Sequence, residues 1–284
     1  MNHTPDSFHS LHVRLPAGLW AALQAQCQSS GESANHVITR ALAEALDLDH
    51  HTLYQVSTSG ALVQGVYQGC VRVADIRRHG DLGLGTFDGL DGEGMMLDGV
   101  CWQARGDGSV RVAPDESLAP FWAATRFQAD QSHGLRAVGS WSDLMARIDA
   151  LRPSANLFMA IRIRGRFDWI RARTACKSPP GTDLATATSH QVEFEWEQLD
   201  GTLMGFWTPP YARTINVPGY HLHLLSDDHR HGGHVLDLRA ERLELELQLD
   251  TQLQLALPET ESFLKADLNG DPAAVLSQGL GGSE

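Results

Sequence analysis

The feature that most constrains the fold is an alternation of leucine with polar residues near the end of the chain. Leucine occupies every second position over residues 243–249 and again over residues 253–257. Successive side chains of a strand point to opposite faces, so this pattern predicts two strands joined at Asp250 and Thr251, each with one buried face. A helix would need an apolar repeat of about 3.6 residues instead. The chain must therefore build at least one sheet.

Longer segments of the second half carry the same strand signal. Residues 157–174 predict two strands around Gly165, and residues 192–208 predict a hairpin that turns at residues 199–201. Apolar and polar positions alternate on both sides of these glycines. We therefore expect sheets with one buried face and one wet face in this half.

The first half shows short strands broken by glycine, with few helices. Residues 73–87 predict an amphipathic helix followed by a glycine-rich loop, and Asp-Gly pairs further on predict tight turns between strands. Residues 140–152 predict a helix that Ser140 caps and Pro153 stops. Pro153 therefore marks a candidate boundary.

Together these patterns predict an α+β fold with two β-rich subdomains of mixed or antiparallel sheet and few helices. A small strand-helix-helix segment precedes them. The predicted divisions are a segment over residues 1–50, an α/β part over 51–153, and a β-rich part over 154–284 that carries the candidate site.

The first fifty residues show a pattern of their own. Residues 11–15 alternate like a short strand, and two apolar stripes at helical spacing follow. Gly31 can end the first helix, and Ser33 can begin the second. This order resembles the ribbon-helix-helix family, in which two chains pair their strands and interlock their helices. The resemblance implies a homodimer.

The charge of the chain bears on its partners. Residues 1–50 carry two basic and five acidic residues, a net charge of −3, and the whole chain has a net charge of −13 at pH 7. Phosphate contacts need a surplus of lysine and arginine, so nucleic acid is a disfavoured partner. We interpret the first segment as a dimerising remnant.

The location of the protein can also be predicted. No apolar run approaches the roughly 18 residues that cross a bilayer, and the N-terminus lacks the basic and apolar regions of a secretory signal. The four cysteines are widely spaced and form no CxxC pair, which is typical of a reducing compartment. We therefore expect a cytoplasmic protein with no membrane partner and no disulfides.

The most informative motif is a set of three histidines. His221 and His223 are two residues apart in a predicted strand, which puts both imidazoles on one face. A hairpin over the glycine-rich connector that follows would bring His234 beside His223. Three imidazoles from two strands, with coordination positions left open, are typical of a catalytic metal site.

Other readings of these histidines remain open. A strand histidine is more often a surface residue or a satisfied core residue than a ligand, and the residues alone indicate a metal site without proving one. Imidazole suits zinc, and also copper, nickel or iron. His229 and His231 lie in the connector and are interpreted as solvated.

Several blocks resemble the α-acetolactate decarboxylase family, in order and with matching spacing, from about Thr52 to Asp267. They are TLYQVSTSGALVQGVYQG, RRHGDLGLGTFDGLDGE, IRIRGRFDWIRART, LDGTLMGFWTP, NVPGYHLHLLSDD and GGHVLDL. Two departures stand out. Gly94 replaces an apolar residue after LDGE, and residues 178–190 replace a proline-tyrosine run.

The resemblance implies roles for specific residues. The metal ligands that it implies, for Zn²⁺ or another divalent metal, are His221, His223 and His234. The catalytic residues that it implies are Arg173, Glu93 and, near the C-terminus, Glu284. The substrate-binding residues that it implies are Thr86 and Arg173.

The reaction that the resemblance implies converts the small molecule 2-acetolactate to acetoin and carbon dioxide, a step of acetoin and butanediol formation. The metal would act as a Lewis acid and stabilise an enediolate, Arg173 would orient the carboxylate, and Glu93 would donate the proton. Two alternatives stay open. One is a DNA-binding regulator with a metabolite-sensing C-terminal part, and the other is a cupin-like metal oxygenase that uses the same histidine pair.

Overall fold

The chain forms two compact units, residues 1–50 and residues 51–284. The computed structural model describes residues 12–31, 33–46, 51–179, 181–272 and 275–276. In the first unit, helix α1 spans Ala17–Ser30 and helix α2 spans Ala34–Ala45. Helix α1 ends at Gly31, whose φ of 74° is left-handed and whose N–H donates to the Cys27 carbonyl. Both helices predicted for this segment are confirmed.

The strand predicted before these helices is not formed in the single chain. Residues 12–16 have no regular secondary structure, and Leu11 lies outside the described residues. In the ribbon-helix-helix family, which this segment resembles, such a strand hydrogen-bonds to its equivalent in a second chain. A strand of this kind has no partner within one copy.

A mixed sheet of seven strands forms one half of the second unit, in the order β14-β1-β8-β3-β4-β5-β6. The strands are β1 (Thr52–Val56), β3 (Leu82–Thr86), β4 (Glu93–Leu97), β5 (Val100–Ala104), β6 (Val110–Val112), β8 (Phe121–Thr125) and β14 (Gln252–Ala256). Neighbours are antiparallel except for β1 and β14, which run parallel with Thr52 opposite Gln252. A two-stranded sheet, β2 (Val71–Arg72) with β7 (Leu118–Ala119), lies outside it.

An antiparallel sheet of five strands forms the other half, in the order β10-β11-β12-β13-β9. Its strands are β9 (Gln131–Val138), β10 (Phe158–Thr174), β11 (Val192–Thr208), β12 (Gly219–Ser226) and β13 (Gly232–Asp250). Strand β10 also pairs with β13, so each of β10, β11, β12 and β13 has two neighbours among these four strands. These four strands therefore close on themselves, and we call them the strand ring.

Two turns predicted from glycine were wrong. Strand β10 runs unbroken through Gly165, because residues on both sides of it stay in register with β11 and β13. Strand β11 runs unbroken through Gly201, which pairs with Gly165 on one side and Ser226 on the other. At Gly165 the missing side chain makes room for the neighbouring strand, since a Cβ there would lie 2.7 Å from the Arg242 carbonyl oxygen.

Two other local predictions need correction. The glycine-rich loop predicted after the helix of residues 73–76 is instead strand β3, and its glycines lie beside the indole of Trp122. The two leucine-rich strands joined at Asp250 and Thr251 are confirmed, but they belong to different sheets. The junction therefore carries the chain from the strand ring into the mixed sheet.

The helices of the second unit are short. They are α3 (Ser59–Val63), α4 (Val73–Ile76), α5 (Trp141–Leu151), α6 (Leu184–Thr188) and α7 (Glu261–Lys265). Ser140 caps α5 as predicted, since its side chain accepts from the Asp143 N–H at 3.1 Å. Within the described ranges, no helix is long and apolar enough to cross a membrane. The four cysteines are free thiols, as expected.

Apolar clusters connect these layers. Helix α5 packs on the strand ring through Leu144 and Ile148, which are fully buried. A second cluster joins the mixed sheet to the strand ring, with Met95 of β4 packed among residues such as Met204 and Leu225. Each of these side chains contributes roughly 1.5–3 kcal/mol when buried. The packing therefore fixes β4 against β12, where the candidate site lies.

The observed fold is α+β, with one mixed and one antiparallel sheet and short N-terminal helices, as predicted. The boundary at Pro153 stays a prediction. Strands from both sides of this residue contribute to the two larger sheets, since β9 pairs with β13 of the strand ring and β14 joins the mixed sheet.

Candidate metal centre and its pocket

Three buried imidazoles meet where β12 and β13 pair. His221 and His223 lie on the same face of β12, and His234 lies directly opposite His223 on β13. The three side chains are 6%, 1% and 2% exposed. One nitrogen from each lies within 4.8 Å of the others. The predicted hairpin is confirmed, and it brings the three histidines together.

A hydrogen bond sets the tautomer of one imidazole. His223 Nδ1 donates to the Gly94 carbonyl oxygen at 2.8 Å, which leaves the lone pair of Nε2 free to bind a cation. His221 Nε2 lies 3.1 Å from His223 Nε2. Two nitrogens bound tetrahedrally to one Zn²⁺ at 2.0–2.1 Å would be about 3.3 Å apart. The spacing therefore fits two ligands of the same ion.

The remaining imidazole nitrogens include a candidate third ligand, one of the two ring nitrogens of His234. Among the described residues, His221 Nδ1 and both nitrogens of His234 are buried without a hydrogen-bond partner. Burial lowers the pKa of His223 to about 4 and holds the pKa of His221 and His234 well below the ordinary value. Neutral imidazole is the form that binds metal, and unpartnered buried nitrogen is costly without one. The donor set fits a divalent cation.

Glu93 lies beside the histidines at the start of β4. Its side chain is 7% exposed, its Oε1 accepts from the Ala175 N–H at 3.0 Å, and its Oε2 lies 3.5 Å from His223 Nε2. Burial raises the pKa of Glu93 to about 7, although the Ala175 N–H and the charge of Arg173 oppose this shift. This carboxyl group can hold a proton near neutral pH.

Arg173 supplies positive charge to the same place. It lies on β10 directly opposite His234 and is half-buried. Burial lowers the pKa of Arg173, and the charges of Glu93 and Glu193 oppose that shift. Its charge in turn lowers the pKa of all three histidines. The guanidinium therefore favours an anion at this site.

Thr86 is the partner of Glu93 across β3 and β4. Its hydroxyl donates to the Gly92 carbonyl at 2.8 Å, and it lines the same pocket as Glu93. The structure thus brings together six of the seven residues singled out in the sequence. The seventh, Glu284, lies outside the described residues.

A partly enclosed pocket lies beside His221. Thr86, Glu93 and His221 form its polar side. The other lining residues, most of them apolar, are Leu62, Gly85, Leu90, Phe121, Ala175, Leu184, Ala187, Thr188 and Gln191. Such a cavity suits a small molecule with one apolar and one polar side.

Sequence reasoning missed several contributors to this site. Helix α6 supplies Leu184 and Ala187 to the pocket, although its segment looks only like a departure from the family pattern. Asp183 before an alanine-rich run was the available signal, because its side chain caps α6. The Gly94 carbonyl and the Ala175 N–H are backbone groups, which carry no residue signature.

The two connector histidines take no part in the cluster. His229 is exposed and stacks on Trp102 with ring centroids 4.2 Å apart. His231 is half-buried, and its ring lies 5.2 Å from that of Trp196. Among the described residues, only His221, His223 and His234 bring three metal-binding side-chain atoms within 4.8 Å of one another. The interpretation of both residues as non-ligands agrees with these positions.

Comparisons with known proteins add an independent finding. A family model described as alpha-acetolactate decarboxylase matches residues 53–270. An alpha-acetolactate decarboxylase from Methanosarcina mazei is 40% identical over 243 residues, which cover 85% of this chain and 84% of that protein. One from Klebsiella aerogenes is 39% identical over 218 residues, which cover 76% and 84%. The crystal structure of alpha-acetolactate decarboxylase from Bacillus subtilis strain 168 matches with a TM-score of 0.78 at 36% identity, over 82% of this chain and all of that one.

Proposed function

We propose that this chain, which belongs to the alpha-acetolactate decarboxylase family, converts 2-acetolactate to acetoin and carbon dioxide. In this proposal His221, His223 and His234 hold a zinc ion. The observation that carries the proposal is the buried three-histidine cluster, which opens at His221 into a pocket that also holds Glu93 and Thr86. The cupin-like oxygenase gains no support from the family match.

The reaction breaks one carbon–carbon bond and forms one carbon–hydrogen bond. The substrate carboxylate leaves as carbon dioxide, and the bonding electron pair moves into the neighbouring ketone to give an enediolate. A proton must then reach the carbon that lost the carboxylate. The bound cation supplies Lewis acidity for the negative charge that develops on the substrate oxygens.

Arg173 binds the carboxylate in this proposal. Its guanidinium is planar and always charged, so it pairs with a carboxylate through two parallel hydrogen bonds. Its position directly opposite His234 on the neighbouring strand supports this role. Thr86 supports the polar side of the substrate from β3, where it is the neighbour of Glu93.

Glu93 delivers the proton in this proposal. The Ala175 N–H holds Oε1, so Oε2 is the oxygen that lies beside His223 and is available to protonate the substrate. Burial raises the pKa of Glu93 to about 7, which makes its protonated form available near neutral pH. A single donor on one face of the enediolate would yield one acetoin enantiomer. Glu284 remains a candidate for a second acid at this site.

The test uses the purified chain and racemic 2-acetolactate. The wild-type protein is expected to release acetoin and carbon dioxide without consuming oxygen and to bind one zinc ion per chain. His223→Ala is expected to lose tight zinc binding and at least about a hundredfold in rate, because one of three ligands is gone. His229→Ala is the matched control and should keep both. Full activity in His223→Ala, or in metal-stripped wild-type protein, would overturn the proposal.

We further infer that residues 1–50 join two copies of the chain. Most large apolar side chains of the described part of this unit are exposed, namely Val13, Leu19, Trp20, Ile38, Leu42 and Leu46. Leu23 is the one that helices α1 and α2 bury. An apolar surface of this extent marks an interaction site, and the net charge of −3 disfavours nucleic acid as the partner. The free thiols favour the cytoplasm as the location.

A further inference from the structure

Trp122 of β8 lies flat against the backbone of two neighbouring strands. It is fully buried, and three glycines of the neighbouring strands β3 and β4 lie beside its indole. A Cβ at Gly85 would lie 2.5 Å from indole Cε3, and a Cβ at Gly94 would lie 2.5 Å from indole Cη2. Real Cβ atoms essentially never come closer than 3.0 Å to such atoms. Neither position can accept a side chain while the indole stays in place.

The strand register explains why the indole reaches β4. Trp122 is opposite Gly85, and Gly85 is opposite Gly94, so the three residues form a row across β8, β3 and β4. Trp122 packs in a cluster with Met96 of β4, whereas Met95 belongs to the cluster that faces the strand ring. The indole therefore supports β4 from the face opposite to the three histidines.

The carbonyl of Gly94 connects this support to the metal centre. It accepts the Nδ1 hydrogen of His223 at 2.8 Å and thereby directs Nε2 of that ring toward the cation site. We propose that Trp122 is a positioning residue for His223. Trp122 acts by fixing β4 so that the Gly94 carbonyl meets the imidazole of His223. The inference rests on the metal role proposed above for the histidines.

The expected loss of zinc affinity follows from how little the hydrogen bond between His223 and the Gly94 carbonyl can change in length. A methyl group at Gly94 would push β4 away from the indole by several tenths of an ångström. The histidines lie on the opposite side of β4 from the indole, so this shift moves the Gly94 carbonyl toward His223. N–H···O bonds are rarely shorter than about 2.7 Å, so the 2.8 Å bond to His223 has almost no room to shorten. Loss of the partner that orients a metal-binding histidine lowers metal affinity by about 10–100-fold.

The first experiment measures zinc affinity of the full-length protein by chelator competition, at a temperature where every variant is folded. Gly94→Ala is expected to weaken zinc binding by about 10–100-fold. The double variant Gly94→Ala, Trp122→Phe should bind zinc with an affinity within about threefold of the wild-type value, because phenylalanine lacks the outer ring edge that meets the new methyl group. Trp122→Ala should also weaken zinc binding, since it removes the support without adding a clash.

The second measurement reports the position of the imidazole directly. Nitrogen NMR of histidine-labelled apoprotein is expected to show the Nδ1–H tautomer of His223 in the wild type and a tautomer mixture in Gly94→Ala. Gly83→Ala is the control for a clash elsewhere on β3. Its Cβ would meet the Ala123 carbonyl oxygen of β8 and lie 3.1 Å from the indole Nε1, while the Gly83 carbonyl accepts no imidazole hydrogen in the described structure. It should lower the melting temperature and leave the tautomer and the zinc affinity unchanged.

Three outcomes would overturn the inference. They are wild-type zinc affinity and tautomer in Gly94→Ala, no rescue by Trp122→Phe, and unchanged zinc affinity in Trp122→Ala. Failure of the proposed function looks different, because the wild-type protein itself would then bind no zinc through His223 or make no acetoin.

Discussion

At the residue scale, the metal ligands and the other site residues differ in how far the sequence reveals them. The spacing of His221 and His223 and the turn before His234 bring the three together locally. Glu93 and Arg173 come from β4 and β10, far away along the chain, and only long-range strand pairing carries them to the site. The histidine cluster was therefore predictable from spacing, whereas the charged partners were predictable only from a family resemblance.

Replacement of Glu93 by glutamine tests its role as proton donor. Glutamine keeps the size and an oxygen that can accept from the Ala175 N–H, but it cannot deliver a carboxylic proton. Glu93→Gln is expected to lower kcat by about 10²–10⁴-fold while one zinc ion per chain is retained. Acetoin release and metal content are the measurements. Glu197→Gln, on the exposed face of β11, is the control, and wild-type kcat in Glu93→Gln would exclude the assigned role.

Asp250, at the end of β13, makes stability depend on pH. Burial raises the pKa of Asp250 from 3.8 to about 7, against the hydrogen bond that Gln248 Nε2 donates to it. Between these values the folded state holds more protons than the unfolded state, so the free energy of unfolding falls as pH rises through this interval. Asp250→Asn removes this titration. Between pH 4 and pH 7.5, the free energy of unfolding of Asp250→Asn is therefore expected to rise by roughly 2–4 kcal/mol relative to that of the wild type.

Urea unfolding of both proteins at several pH values measures this difference. Metal chelation keeps zinc linkage out of the comparison, and the buried histidines contribute equally to both chains and cancel. A difference between the two proteins that does not change with pH would show that the carboxyl group does not titrate in this interval.

At the element scale, helix α6 closes one wall of the pocket. Leu184 and Ala187 face inward, whereas Ala185 on the same helix is exposed. Ala187→Leu is expected to lower kcat/KM for the 2-ethyl homologue of the substrate by about tenfold or more and to lower kcat/KM for 2-acetolactate less. The reason is that the leucine side chain occupies space in the pocket that the longer alkyl group needs.

Ala185→Leu is the matched control for this wall. It adds the same side chain on the solvent side of the same short helix and should change neither substrate's kcat/KM. Equal losses for both substrates in Ala187→Leu would show that α6 supports the fold of the pocket without selecting the alkyl group.

The strands show where sequence patterns stop being informative. Alternation located β10, β11, β13 and β14, because side-chain direction depends only on position along a strand. It misjudged the lengths of β10 and β11, because Gly165 and Gly201 look like turn residues although they make room for neighbouring strands. The closure of the strand ring could not be predicted from the sequence, because the pairing of β10 with both β11 and β13 depends on contacts between residues distant in sequence.

At the scale of the whole molecule, residues 1–50 are expected to set the number of chains. Light scattering of the full-length protein should give the mass of a dimer. Ile38→Glu should give the mass of a monomer, because it places a charge on the apolar face proposed to meet the second copy. Gln26→Glu, at an exposed polar position of α1, should remain dimeric. A wild-type protein that is monomeric at micromolar concentration would contradict the proposed dimer.

The parallel pairing of β1 with β14 has a consequence for how the protein is made. Thr52 of β1 pairs with Gln252 of β14. The first strand of the second unit therefore cannot form this pairing until β14, the last strand, has been synthesised. A nascent chain on the ribosome cannot complete the mixed sheet until residue 256 has left the exit tunnel. Contacts this distant in sequence make folding slow, and until then β1 presents an open edge to other chains. Premature termination before β14 should therefore yield products that aggregate or are degraded, even though every residue of the three-histidine cluster has already been translated.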